Sequence, residues 1–475
     1  MPDGGSISER ADFDLGPIRV RPAMRALETV NASVSVEPLV MQLLVTLSRR
    51  AGKLVTRRQA FDACWGAAVV GDDSLNRIVA VLRKALRDAA GEAVQIETVP
   101  ATGYVLRLNP VAGAADGAGT NAIQQAVDAG YDSWRLGLPE PDHLRLELLR
   151  RATADHPGDA GAWGMLALLC RQATEYAEPA DVGGYVAECE AAARRALALD
   201  PSQGEALVAL ASVAPLYARW RDARRDLTRA LEQVPDHVVA LHDLAILEMA
   251  TGRVRAAKHI IDGLIARDRL AACLCYKSTY QHWSIGDLSG MDEVADRAIH
   301  LWPSHPAVWS ARFWTLAHTG RGHAALAMLD DPVRPAIPAP AARLLRLVVG
   351  ASLGGDRAAV DIAARGCVES APIGPAQAVG ALNGLGLLGR VDEAFAVASA
   401  YYLRTGAGPV PVRHGAQEPS INDQHRRVTQ ILFTPAGEAM RGDARFPILC
   451  ERMGLARYWD ETGLAPDFLA AAAGA

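Results

Sequence analysis

What the 475-residue chain lacks narrows its class before anything it contains. No run of about 18 consecutive apolar residues occurs, although half the composition is hydrophobic, so no segment reads as a membrane-spanning helix. The opening Met1-Pro2-Asp3-Gly4-Gly5 lacks the charged-then-apolar pattern of a secretory signal, and the protein is expected in the cytoplasm. Aromatics make up only 5% of the residues, and abundant alanine and leucine favour helices. The seven cysteines are an odd number, scattered singly except for Cys273 and Cys275. That pair is separated by one residue, which suits neither a redox motif nor a zinc half-site; reduced thiols packed as small apolar groups are expected.

Catalytic and metal-binding patterns are equally scarce. No HExxH, GxSxG or Walker sequence appears, and His237 and His242 are five apart, off the i,i+4 spacing of a helical ligand pair. Gly384-Leu385-Gly386-Leu387-Leu388-Gly389 matches GxGxxG, but it runs into Arg390-Val391-Asp392-Glu393-Ala394, the opening of a helix, and reads as the end of another. No enzyme, cofactor or metal is expected. The net charge of −5 is unevenly divided: residues 1–110 hold 14 Lys/Arg against 12 Asp/Glu, and the remainder 35 against 42. A mildly basic head on an acidic body fits nucleic-acid binding by the head alone.

What is present begins with the stretch Thr56 to Leu108. Leu75, Ile78, Val79, Leu82 and Leu86 recur at helical period and form one buried stripe. The opposite side carries Asp73, Arg77, Ala80 and Lys84, flanked by Val81 and Arg87. Upstream, Thr56-Arg57-Arg58-Gln59 is a capping box opening a helix through Phe61 and Cys64 to Trp65, which Gly66 ends. A connection, Ala67 to Gly71, separates the two helices. Downstream, Gln95 to Val99 and Tyr104 to Leu108 are β-rich runs around Pro100-Ala101-Thr102-Gly103, a hairpin signal. Phe13 to Val36, broken at Gly16-Pro17, Pro22 and Asn31, predicts a small antiparallel sheet ahead of a helix opened by Glu37-Pro38, with Leu39, Leu43, Leu44 and Leu47 as its buried face.

The run Val69-Val70-Gly71-Asp72-Asp73-Ser74-Leu75-Asn76-Arg77, then Leu82-Arg83-Lys84-Ala85-Leu86, then Glu97-Thr98-Val99-Pro100 with Gly103-Tyr104, resembles the OmpR/PhoB-type winged helix-turn-helix, over roughly residues 13–108. The resemblance implies that the helix from about Asp73 to Asp88 enters the major groove of double-stranded DNA while the hairpin approaches the minor groove. Ala80 and Val81 stand where many relatives have arginines, so methyl contacts to thymine replace hydrogen-bond readout there. The hairpin turn carries Ala101 and Thr102 in place of the relatives' basic residues. No receiver domain precedes the winged helix, so no aspartyl-phosphate switch is implied.

From about Asn121 to Tyr402 the sequence is helical and repeats. Pro201, Pro235 and Pro303 lie 34 and twice 34 apart, with Arg269 at the skipped position, and Pro338 and Pro372 are again 34 apart. Ala223, Ala257 and Ala359 hold one phase; Ala196, Ala230 and Ala298 hold another. A 34-residue period with small residues at fixed offsets is that of tetratricopeptide repeats, which stack because paired short helices cannot bury their apolar faces alone. About six repeats are expected, beginning with one that ends near Asp155-His156-Pro157. The 44 residues from Pro157 to Pro201 hold about ten extra, placed in the loop around Ala177 to Asp181.

The expected fold is therefore multidomain: an α+β winged helix-turn-helix head followed by an all-α tetratricopeptide-like solenoid. Residues 1–12 form a flexible start, 13–108 the DNA-binding domain, and 109–120 a Pro/Gly/Ala-rich linker. The repeat domain takes 121–405, a loop including the Pro/Gly-rich break Gly406 to Ser420 takes 406–425, and 426–475 form a carboxy-terminal segment that looks like a solenoid cap.

The DNA-contacting set is Arg57, Arg58, Asp73, Ser74, Asn76, Arg77, Ala80, Val81, Lys84, Arg87 and Thr102. Arg77, mid-face, is the candidate for base contact, against a solvated or purely phosphate role. Lys84 and Arg87 suit phosphates, as do Arg57 and Arg58 at a helix start. Ser74 and Asn76 either reach the DNA or cap their helix. Arg83, at the edge of the stripe, pairs with an internal acid, and Trp65 belongs to the core. Arg49, Arg50 and Lys53 are either surface charges or phosphate contacts. The implied function is a bacterial-type, sequence-specific transcriptional regulator. RNA polymerase, a protein, peptide or small-molecule effector on the solenoid's concave side, and a second copy are its candidate partners; a membrane is not. The competing reading is a scaffold whose winged helix binds protein.

Overall fold

The computed structural model describes residues 13–22, 24–29, 33–48, 50–52, 54–65, 72–91, 93–99, 102–108, 115–138, 141–177, 181–214, 216–405 and 429–469. The chain forms two compact units, Met1–Asn121 and Ala122–Ala475.

In the first unit, β1 (Phe13–Leu15), β2 (Ile18–Arg21), β3 (Ala26–Glu28) and β4 (Ser33–Ser35) form an antiparallel sheet in that order, where the alternating pattern predicts it. Leu15, Ile18, Val20 and Leu27 point into the core while Asp14 and Arg19, directly paired in register, face out and form an ion pair of 3.1 Å. Helix α1 (Pro38–Ser48) buries Val40, Met41, Leu43, Leu44, Val45 and Leu47. Leu39, expected in that face, is exposed, because the helix turns Val40 and Met41 inward instead.

Strand β5 (Leu54–Thr56), absent from the sequence reading, precedes α2 (Arg57–Trp65) and α3 (Asp72–Ala90). The capping box forms: the Gln59 amide donates to Thr56 Oγ1 at 3.2 Å and the Thr56 amide to Gln59 Oε1 at 3.0 Å. Residues Gly66 to Gly71 and the side chain of Trp65 lie outside the described residues. Strands β6 (Val94–Val99) and β7 (Gly103–Leu108) make the expected hairpin, and β5 pairs on the far side of β7 in a sheet ordered β5-β7-β6. Gly103 permits this: a Cβ there would fall on the Val55 carbonyl oxygen.

The second unit is helical throughout its described residues, and none of its helices is long and apolar enough to cross a membrane. Helices α4 (Ala115–Leu136) and α5 (His143–Asp155) precede seven pairs. These are α6 (Ala160–Ala173) with α7 (Val182–Leu199), α8 (Gly204–Ser212) with α9 (Trp220–Gln233), α10 (Val238–Ala250) with α11 (Val254–Arg267), and α12 (Ala272–Ser284) with α13 (Leu288–Leu301). Then follow α14 (Pro306–His318) with α15 (Gly322–Met328), α16 (Ala339–Ser352) with α17 (Arg357–Ser370), and α18 (Pro375–Leu387) with α19 (Val391–Leu403). The count exceeds the six repeats expected because proline marks only some of the junctions. From Gly204 to Pro306 the leading helices start at strict 34-residue intervals. The ten extra residues before Gly204 are not all loop: compared with α10 and α11, four lengthen α7, one lengthens α6 and five widen their connection, of which 178–180 lie outside the described residues.

A second periodic signal, in glycine, went unread in the sequence. Gly252, Gly286, Gly320, Gly354 and Gly389 sit in the turn within each of the last five pairs, all at positive φ. After four of them the next amide reaches back to a carbonyl five residues earlier, for example Arg253 N to Glu248 O at 2.8 Å, the hydrogen bond of a Schellman cap. Three of the GxGxxG glycines are accounted for by packing: Gly384 faces Cys367, a Cβ on Gly386 would strike the Ala436 carbonyl, and Gly389 has φ +67°.

Two segments outside the repeats lie on the solenoid's leading helices. The stretch read as a linker to residue 120 is already helical from Ala115, and the helix continues as α4 along those faces. Gly130 abuts Met165 of α6, the Tyr131 hydroxyl donates to Glu205 of α8 at 2.7 Å, and the Trp134 ring meets His242 of α10 edge-on at 5.5 Å. Arg135 pairs with Asp268 at 2.6 Å, and the Leu136 carbonyl accepts from His305 Nε2 at 2.7 Å.

The other segment is carboxy-terminal. After residues 406–428, outside the described set, two 3-10 turns (Gln430–Phe433, Pro435–Gly437) lead to α20 (Glu438–Arg441), α21 (Arg445–Arg452) and α22 (Leu455–Thr462). Expected as an end cap, this segment also reaches back to α9 and α10: Trp220 Nε1 donates to Met453 O and Trp459 Nε1 to Thr251 O, each at 2.9 Å. Its buried apolar side chains, Leu432, Phe433, Phe446 and Tyr458, need more cover than the last helix alone provides. Six cysteines are buried and Cys64 is half-buried, all as free thiols; burial pushes the Cys189, Cys273 and Cys367 thiols up to about 12.

Ala218 lies 34 residues before Gly252, at the same turn position, exposed and at φ +60°. Ala218→Gly relieves a left-handed alanine at the cost of a looser unfolded chain, and should raise stability by up to about 1 kcal/mol in chemical denaturation. His242 and His318 are held neutral chiefly by burial, each down to about 4 from 6.5. The unfolded imidazoles take up protons below pH 6.5 and the native ones only near 4, so the stability conferred by the neutral rings is complete above 6.5 and is lost as pH falls toward 4. Calorimetry should show a falling unfolding midpoint across that window.

Candidate nucleic-acid interface

Helix α3 presents two unlike sides. Leu75, Ile78, Val79, Leu82 and Leu86 are 0–7% exposed against α1 and β6, whereas Asn76, Arg77, Ala80, Val81, Lys84 and Arg87 are exposed. The helix is amphipathic because its apolar residues return every third or fourth position, and its outer face is left for a partner. Arg77 makes no hydrogen bond or ion pair with any described residue, and neither does Lys84, seven positions and so about 10 Å further along the same side. Ala80 and Val81 lie between them, both exposed, Val81 at 38%.

The start of α3 is tied to α2 and the hairpin. Arg57 donates from Nη1 to the Tyr104 hydroxyl at 2.8 Å and from both terminal nitrogens to Asn76 Oδ1 at 3.3 Å. Tyr104 in turn donates to Asn76 at 3.3 Å, and the Arg57 guanidinium lies 5.8 Å from its ring centre. Arg57 and Asn76, expected at the DNA, are thus joined to each other; they position α3 against the sheet. Tyr104, only 3% exposed in β7, carries a role that the strand pattern of Tyr104 to Leu108 does not reveal.

Arg83 pairs with no acid among the described residues. Its Nε and Nη2 donate to the Ile96 carbonyl at 3.0 and 2.8 Å, and Nη2 to Thr98 Oγ1 at 2.7 Å, because the neighbouring strand offers a backbone acceptor at the stripe's edge. Arg58 is 92% exposed on its side chain, with Asp62 one turn away at 3.9 Å, a pairing too loose to hold it. Thr102 is exposed at the hairpin turn, its amide bonded to the Val99 carbonyl. Asp73 and Ser74 fall in the first turn of α3, but their side chains lie outside the described residues, as do Arg49 and Lys53; Arg50 is exposed.

Residues 31–106 match the family model described as the carboxy-terminal domain of transcriptional regulatory proteins. The head carries an OmpR/PhoB-type winged-helix DNA-binding domain. Residues 218–272 match the tetratricopeptide-repeat model, which places the second unit among these repeats. The winged helix is 28% identical over 95 residues to the transcriptional activator CadC of Escherichia coli K12, spanning 20% of this chain and 19% of CadC. It is 32% identical over 108 residues to the sensory transduction protein RegX3 of Mycolicibacterium smegmatis, spanning 22% of this chain and 47% of RegX3. The chain thus covers less than half the length of either relative.

Among solved structures, the DNA-binding domain of E. coli CadC aligns at 27% identity with a TM-score of 0.19, over 20% of this chain and 91% of that domain. A tetratricopeptide repeat protein from Parabacteroides merdae aligns at 15% identity with a TM-score of 0.33, over 52% of this chain and 92% of that one.

The Arg57–Asn76–Tyr104 triad generates a prediction for the winged helix. Tyr104→Phe keeps the ring and deletes the hydroxyl, and should cost the head about 1 kcal/mol in urea unfolding. An unchanged midpoint would mean that water replaces the hydroxyl at no cost.

Proposed function

We propose that the protein is a cytoplasmic, sequence-specific transcriptional regulator whose α3 reads the major groove of double-stranded DNA and whose solenoid receives the controlling input. The observation that carries this reading is the outer face of α3, where Arg77, Lys84 and Arg87 are exposed around the methyl-bearing pair Ala80 and Val81, on a helix whose other side is sealed into the core. A cation without a partner among the described residues, on a helix of this kind, suits guanine, bidentate, or phosphate; alanine and valine suit a thymine methyl. Arg57 and Asn76 act by fixing the helix rather than by reading bases. Arg58, Lys84 and Arg87 add phosphate contacts, which orient the helix and carry no sequence information. A regulator with such a head works on promoter DNA, so RNA polymerase is its natural further partner, and a protein, peptide or small molecule held by the repeats sets its activity.

Gel-shift titrations of the full chain test the reading. Arg77→Ala should lose about 1–3 kcal/mol on the cognate site and relax specificity there, with scrambled DNA little affected. Equal losses on both sequences would demote Arg77 to a phosphate contact. Binding should also weaken steeply as salt rises, through counterion release. A head that ignored every duplex at low salt yet bound protein would instead be a scaffold module.

A further inference from the structure

Between α10, α12, α14, α18 and the carboxy-terminal segment lies a cavity of about 230 Å³. That is larger than the roughly 150 Å³ apolar cavity that accommodates benzene. Ile246, Met249, Ile261 and Val379 give it an apolar lining. Lys277, Gln281 and Asn383, which are 8%, 2% and 2% exposed, also line it.

Lys277 is a buried cation with no carboxylate within ion-pair distance among the described residues. Its ammonium donates to the Cys273 carbonyl at 3.0 Å and the Tyr276 hydroxyl at 2.7 Å, and lies 4.2 Å from the Tyr276 ring centre. An ammonium has three hydrogens, so one remains. Asp243 and Glu175, which line a neighbouring pocket together with Lys277, are both paired with Arg171, at 2.5 and 3.3 Å. His242 adds no negative charge, since burial, with Lys277 beside it, keeps its ring neutral. Buried charges are ordinarily paired, and Lys277 lines both this cavity and the smaller neighbouring one between α4, α6, α10 and α12.

Two further groups are unfinished. Gln281 Oε1, one helical turn beyond Lys277, is buried and accepts nothing among the described residues. Asn383 Oδ1 on α18 is equally without a donor, although its amide nitrogen gives to the Val379 carbonyl at 3.1 Å. Buried acceptors without donors are costly and uncommon. A cavity that combines an unpaired ammonium, two idle amide oxygens and an aliphatic lining is complementary to one kind of molecule.

We propose that this cavity binds a small carboxylate that bears an adjacent hydroxyl or amino donor and an apolar side chain: an apolar amino acid or its hydroxy-acid counterpart. The carboxylate meets Lys277, the donor meets the Gln281 and Asn383 oxygens, and the side chain lies against Ile246, Met249, Ile261 and Val379. Ile431 and Thr434 of the carboxy-terminal segment also line the space, so ligand and segment share one site. This assignment rests on the reading of the solenoid as the input module and names the class of its input.

Isothermal titration of the full chain tests it with leucine, phenylalanine and their hydroxy-acid counterparts as probes. At least one should bind with a dissociation constant below about 1 mM, while leucinamide, lacking the carboxylate, and isocaproate, lacking the donor, bind at least about tenfold more weakly. Lys277→Met should remove the preference over leucinamide, and Gln281→Leu the preference over isocaproate. If Lys277→Met fails to fold, Ala376→Phe at the exposed mouth of the cavity should block all of the probes. No heat from any probe at about 10 mM, or leucinamide binding as tightly as leucine, overturns the assignment. Gel shifts run on the same preparations separate the two claims: DNA binding without probe binding removes the ligand site alone, and probe binding without DNA binding removes the regulator reading alone.

Discussion

The solenoid depends on one apolar closure, in which the second helical pair meets the last pair and the carboxy-terminal segment. Tyr217 and Tyr402 stack with their rings nearly parallel at 6.4 Å, and the Tyr217 hydroxyl donates to the Tyr402 carbonyl at 2.7 Å. Trp220 lies beside them and gives its indole proton to Met453. Around these rings a single buried cluster runs from Leu216 to Tyr458. A row of stacked helical pairs normally leaves its inner surface and its two ends open to water. Here the closure removes that surface over much of the unit, and the repeats act as a wall around segments that are not repeats.

Polar groups hold the closure in register. Glu248, nearly inaccessible, receives Arg224 at 2.5 Å and Arg253 at 2.7 Å, and Arg224 also reaches the Tyr458 hydroxyl at 3.3 Å. Gly252 has no room for a Cβ because Pro466 and Phe433 lie against it, so one glycine serves both the turn of its own pair and the approach of the distant segment. The cavity at Lys277 exists because the carboxy-terminal segment roofs over the leading helices without filling the space beneath it. The α4 helix covers a neighbouring part of the same face through Trp134 and Arg135.

The head follows the opposite logic, local and self-contained. Its core comes from two sheets and three helices within about a hundred residues, and its functional face is whatever the apolar stripe of α3 leaves outside. That is why the stripe, the capping box and the hairpin could all be read in advance. Three features could not: Leu39 faces water, Arg83 binds a backbone carbonyl, and Arg57 and Asn76 are hydrogen-bonded to each other. Each depends on which strand or helix happens to lie opposite, and spacing along the chain carries no such information.

The amino-acid sequence by itself determined the two-part architecture, the winged helix with its inner and outer faces, and the 34-residue beat of the helical pairs. These rest on periodicity and on contacts between near neighbours, which a linear pattern records. Only the tertiary structure decided that residues 126–136 and 429–469 pack on the repeat helices, that the solenoid closes on itself, and that a buried lysine and two idle amides share a cavity. The Trp220–Met453 bond spans 233 positions, and Gln281 and Asn383 stand three pairs apart. No repeat encodes such meetings; they arise because exposed apolar surface on α9, α10 and α18 is costly in water and the chain's own end is the nearest thing able to cover it.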